Sequence, residues 1–146
     1  MSIRSVAVVA VVALIGACAT VPLADQDDPV VTLIDRFNTI PPSEFVAQSG
    51  VPFLLNGQIL YAESDLAAVL ERLRESGLLI APRVVSRHAL GPAAGDRRFD
   101  VGVFFDHLPP DARAVVVDSN AGEVTLIVGG EANRLPVLLG LVQGRL

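Results

Sequence analysis

Two valine-rich runs late in the chain leave little freedom in how it can fold. Val115-Val116-Val117 and Val124-Thr125-Leu126-Ile127-Val128 are of strand length and rich in β-branched residues. Successive side chains of a strand point to opposite faces, so a sheet with one wet face alternates apolar and polar residues. These runs do not alternate. Either the outer face is covered, or the inner face lines a cavity. A second copy of the chain is one candidate cover. The other is a segment of the same chain, such as residues 135–141. Ser119-Asn120-Ala121-Gly122 between the two runs predicts a hairpin.

The rest of the chain supplies further strands and the helices to pack on them. Asp28 can cap a helix, Pro29 suits its first turn, and Val30, Val31, Leu33, Ile34 and Phe37 recur at helical spacing. Ile40-Pro41-Pro42 stops that helix, and residues 43–48 predict one or two further turns, closed by Gly50. Asn56-Gly57 between two apolar runs predicts a tight hairpin, because both residues tolerate positive φ. A helix capped by Ser64 follows, with Leu66, Val69, Leu70 and Leu73 as its stripe and Gly77 at its exit. Residues 83–90, 99–108 and 138–142 complete the expected strands. The order, helices first and strands after, predicts an α+β domain over residues 29–146.

Ahead of the domain stand a short basic head, Met-Ser-Ile-Arg4, and an apolar stretch over residues 5–17. These are the requirements of an export signal: a charge that stays with anionic lipid, a core that partitions, and small residues for a peptidase. The stretch ends on the chain's one cysteine, in Leu14-Ile15-Gly16-Ala17-Cys18. That segment resembles the lipobox of bacterial lipoproteins. The resemblance implies a signal peptide over residues 1–17 and cleavage after Ala17. It further implies acylation of Cys18, palmitate among the chains, and a lipidated tether over residues 18–28. Ala19, where some lipoproteins carry aspartate, implies sorting to the outer membrane, facing the periplasm. Two other readings stay open. Ala17-Cys18-Ala19 fits an A-x-A cleavage site, and the uncharged run from Ser5 to Ala24 could stay as a single span.

Over residues 29–146 the order of elements resembles the nuclear transport factor 2-like superfamily, with Phe53-Leu54-Leu55-Asn56-Gly57-Gln58 and Ser64-Asp65-Leu66 as its short hairpin and third helix. The resemblance implies helices packed on a curved antiparallel sheet, a cone-like arrangement of the cystatin and nuclear transport factor 2 kind. It also implies a homodimer through the sheet. Enzymes of that superfamily place an Asp or His base with a Tyr inside the cone, which here would implicate His88, Asp100, Asp106 and Tyr61.

Composition excludes several classes. One cysteine allows no intrachain disulfide, so the domain folds on its core alone. The eleven basic residues are all Arg, and loss of Arg4 with the signal takes the formal charge from −5 to −6. That balance, without a basic stripe, argues against a nucleic-acid partner. Two histidines without a third close ligand make no zinc site, and Gly129-Gly130 is a lone pair without a phosphate cradle, so no cofactor is expected. Arg72, Arg74, Glu71 and Glu75 read as the solvated face of a helix. The expected protein is a small envelope lipoprotein, non-catalytic, that binds a small apolar ligand or a protein partner. A small isomerase or dehydratase using His88 and an aspartate is one alternative. A structural accessory subunit of an envelope complex is another.

Overall fold

The computed structural model describes residues 27–90, 102–130 and 135–145. The signal, Cys18, most of the tether and Asp100 lie outside the described residues. What is described is an α+β fold on one six-stranded mixed sheet, with strand order β2-β1-β6-β5-β4-β3. The strands are β1 Ser49–Leu55, β2 Gln58–Leu60, β3 Ile80–Ala89, β4 Arg113–Ser119, β5 Gly122–Gly129 and β6 Val137–Gln143. The helices are α1 Pro29–Thr39, α2 Pro42–Phe45, α3 Glu63–Glu75 and α4 Gly102–Asp106, with one 3₁₀ turn at Val46–Gln48. The sheet is not wholly antiparallel as expected, because β1, one strand in from the edge, runs parallel to β6.

Helix α1 starts where the sequence places it. Asp28 is its N-cap, accepting from the Val30 backbone N–H at 3.0 Å, and Pro29 occupies the first turn. Its apolar stripe buries Val30, Leu33, Ile34 and Phe37. Helix α3 begins two residues earlier than the Ser64 cap predicts, behind Ala62, which makes no side-chain cap bond. It ends as predicted. Gly77 takes φ +77° and the Leu78 N–H returns to the Leu73 carbonyl at 3.2 Å, so the last carbonyls find donors without a strained Cβ. At the β1–β2 hairpin Asn56 and Gly57 both take positive φ, 46° and 88°, which matches the right-handed twist of the two strands.

Both faces of the sheet are covered, the first of the two outcomes that the unbroken apolar strands allow. Consecutive residues Phe53 and Leu54 are each 0 % exposed, one in each of two separate cores. On the first face Phe53, Val115, Val117, Val124, Leu126 and Leu138 pack beneath α1, α2 and α3. On the second, Leu54, Ile127 and Val142 pack with Phe104 of α4. This is the element the sequence misplaced. Within residues 99–108, expected as a strand, residues 102–106 are helical, and α4 lies on the face left open between a second copy and residues 135–141. Residues 137–141 are instead part of β6 inside the sheet. Thr125 is the buried polar residue of this region, and its hydroxyl donates to the Gly144 carbonyl at 2.6 Å.

Arg74 also departs from expectation. It does not lie on the solvated face of α3 but turns inward and donates from Nη2 to the carbonyls of Phe37 (2.5 Å) and Ile40 (2.8 Å). A guanidinium placed there satisfies carbonyls at the end of α1 and faces the negative end of its dipole.

Candidate functional site

Space between the three helices and the sheet is where a cone-like domain would hold a ligand. Here it is filled. The gap bounded by Leu33, Ile34, Phe45, Ile80 and Leu126 amounts to about 10 Å³. A second gap, between α1, α2 and Arg74, is equally small, about 10 Å³. Neither holds more than a single water.

The residues implied as catalytic do not converge among the described residues. His88 lies on β3, where it pairs with Ala114 on the face opposite the three helices. It is exposed, and its Nε2 lies 3.2 Å from the Ser86 hydroxyl. Simple alternation puts His88 on the side of Val84, but one extra residue in β3 between Val84 and Ser86 reverses the faces. Val84 therefore packs under the helices, while Ser86 and His88 face outward. Tyr61 is 67 % exposed just beyond β2, the opposite edge strand, so the whole width of the sheet separates it from His88. Five strand spacings make that roughly 24 Å. Asp106 is exposed at the end of α4, and the neighbouring His107 is occupied locally, its Nδ1 donating to the Val103 carbonyl at 2.8 Å. Asp100 lies outside the described residues. Among the described residues no cluster of His, Cys, Asp and Glu is arranged to hold a metal ion.

A groove of about 170 Å³ opens instead where three turns meet at one end of the sheet. Its apolar floor is Leu73 and Leu78 from the exit of α3, Val124 from β5 and Leu141 from β6. Its polar rim includes Asn56, Ser76, Ser119, Glu123 and Gln143. Asn56, Ser76 and Ser119 of this rim are held by bonds to the backbone. Asn56 Oδ1 accepts from the Gln143 N–H at 2.7 Å, tying the first hairpin to the end of β6. Asn120 ties the second hairpin to the exit of α3, accepting from the Leu79 N–H at 3.0 Å and donating to the Gly77 carbonyl at 2.7 Å. Ser76 donates to the Leu73 carbonyl and Ser119 to that of Gly122, each at 2.7 Å. The groove is thus shaped before anything enters it.

Its one charged rim residue is paired. Arg145 grips Glu123 with two bonds, Nε to Oε2 at 2.8 Å and Nη2 to Oε1 at 2.7 Å. That hydrogen-bonded guanidinium holds the Glu123 carboxyl below its ordinary value of 4.5 and raises the pKa of Arg145. Because the folded-state pKa is depressed, the pair favours the fold above the unfolded carboxyl's pKa, and that preference is lost as pH falls through the lowered value. Substituting Arg145→Gln should bring the Glu123 titration, followed by carboxyl NMR, back up towards 4.5. An unchanged titration would mean the fork does not persist in solution. Chemically the groove offers an apolar floor and a neutralised rim, suited to a small apolar group rather than to proton transfer.

The sequence marked each of these turns singly, through Asn56-Gly57, Gly77 and Ser119–Gly122, without showing that they meet. No protein family, no characterised protein and no solved structure matches this chain. The fold class, α+β on a mixed six-stranded sheet, therefore stands on the structure alone.

Proposed function

We propose that this chain is an envelope lipoprotein whose single domain works by binding, taking a small apolar side chain of a protein partner into the groove at the hairpin tips. The domain is read as a cone-like member of the nuclear transport factor 2-like kind. Supporting that reading are the three helices on one face and the short hairpin that leads into α3. The anchor is Cys18, acylated after removal of residues 1–17, with the domain on the periplasmic side of the outer membrane. One observation carries the binding role: the helix-to-sheet interior is closed to about 10 Å³ while the groove holds about 170 Å³. That volume falls below the roughly 300 Å³ at which drug-sized ligand pockets begin, and it suits one inserted side chain.

A photo-crosslinking residue in place of the exposed Ala121, at the groove's lip, tests this in a bacterium that exports and acylates the chain. The expected result is one adduct of discrete mass. Filling the groove from its rim with Ser76→Trp should reduce that adduct about tenfold or more. An adduct indifferent to Ser76→Trp would place the contact elsewhere. No adduct at all would remove the reading.

A further inference from the structure

The two ends of α1 fix where the tether joins the domain and which end of the domain lies farthest from it. At the first end Asp28 makes two bonds. Its Oδ1 caps α1, and its Oδ2 accepts from Arg87 Nη2, pinning the start of α1 to the far part of β3. At the other end Asn38 accepts from the Ile80 N–H at 3.1 Å and donates to the Ile80 carbonyl at 2.7 Å, so α1 runs antiparallel to β3. Ile80 pairs with Ser119, which lies on the groove, whereas Ala89 pairs with Arg113. Six residues of β4 separate those two pairs, roughly 20 Å at strand rise. The tether's attachment and the groove therefore lie towards opposite ends of the domain.

From this we infer that the anchored domain presents its groove end away from the lipid, with the Asp28–Arg87 end nearest the membrane. The inference rests on the lipid-anchor reading. Nine residues, 19–27, separate Cys18 from Asp28. A link of nine residues spans at most about 32 Å, and the typical end-to-end distance of a random-coil link of that length is about 17 Å. That distance is no longer than the roughly 20 Å between the two ends. Turning the groove to the bilayer would require the tether to span roughly the 20 Å between the two ends, beyond its typical reach, so the groove faces a partner in the aqueous space and not a lipid.

The test uses the full acylated protein in phosphatidylcholine–phosphatidylglycerol vesicles whose headgroups carry an energy acceptor. A donor dye is attached through a non-natural residue replacing either exposed Ala89 or exposed Ala121. Transfer from position 89 should exceed that from position 121 by about threefold or more. Inserting a long Gly/Ser segment after Ala19 should bring the two efficiencies together. Equal transfer from both positions in the natural protein would overturn the orientation while leaving the anchor intact. A contrast that survives the insertion would overturn the tether as its cause. Failure of the protein to float with the vesicles would overturn the anchor, and the orientation with it.

Discussion

Replacing Phe104 by alanine is expected to destabilise the domain by about 3–5 kcal/mol, the range for removing a large aromatic from a packed core. Phe104 is 1 % exposed and packs against Leu54, Ile127 and Val142 on the sheet face opposite the long helices. It also meets Phe105 edge-on, with ring centroids 5.6 Å apart and planes at 77°, a geometry that adds about 0.5–1.5 kcal/mol beyond burial. A small domain has on the order of 5–15 kcal/mol in total, so the substitution should remove a large share of it. Phe105→Ala, at a half-buried position, should cost less than half as much. Urea unfolding of the two variants beside the parent gives the comparison. The Phe104 variant should also self-associate with rising concentration, since it uncovers contiguous Leu54, Ile127 and Val142. A loss under about 1 kcal/mol would mean that α4 does not cover this face in solution.

Phe104 shows where sequence reasoning stops. Val103-Phe104-Phe105 is an apolar triplet in a stretch of ten, which reads as a strand because five helical residues are too few to display a 3.6 period. Helices α1 and α3 were legible because each carries boundary chemistry in addition to its stripe: Asp28-Pro29 and the proline pair at the two ends of one, Gly77 at the exit of the other. The choice between a covered outer face and an inner face lining a cavity was legible too, since Val115 to Val117 and Val124 to Val128 offer no polar face. What provides that cover was not. The parallel pairing of β1 with β6 joins Leu55 to Leu141 across most of the chain, and no local signal announces it. The extra residue in β3 left no recognisable mark in Arg83-Val84-Val85-Ser86, yet it decides which way His88 points. Arg74 was misread for a similar reason. Its partners, the carbonyls of Phe37 and Ile40, lie 37 and 34 residues away, and spacing along its own helix says nothing about them. The groove combines the two cases: its turns are local and readable, while their convergence comes from strand order.

Substituting Cys18→Ser should abolish membrane retention while leaving the folded domain unchanged. On the proposed reading Cys18 carries acyl chains through its sulfur and its freed amino group. A serine hydroxyl cannot form the thioether, and without it the signal peptidase that cuts lipoproteins has no substrate. Each buried methylene contributes about 0.8 kcal/mol to membrane affinity, so two or three chains hold the protein firmly where a single chain holds it only marginally. Losing them changes partitioning by many orders of magnitude, which fractionation reads as complete transfer or not. Stability is not expected to follow, because residue 18 lies well before Asp28, where the described fold and its first cap begin. Two outcomes would separate the rival readings of the same segment. Were the variant released as a trimmed chain beginning at Thr20, with the parent equally soluble and free of lipid, the A-x-A site would be the true processing point. Were parent and variant both membrane-bound, untrimmed and free of acyl mass, the uncharged stretch from Ser5 to Ala24 would itself be the anchor. No described helix is long and apolar enough to cross a membrane. Only a parent that lacks residues 1–17, carries added acyl mass and loses its membrane retention with one sulfur atom fits the anchor proposed here.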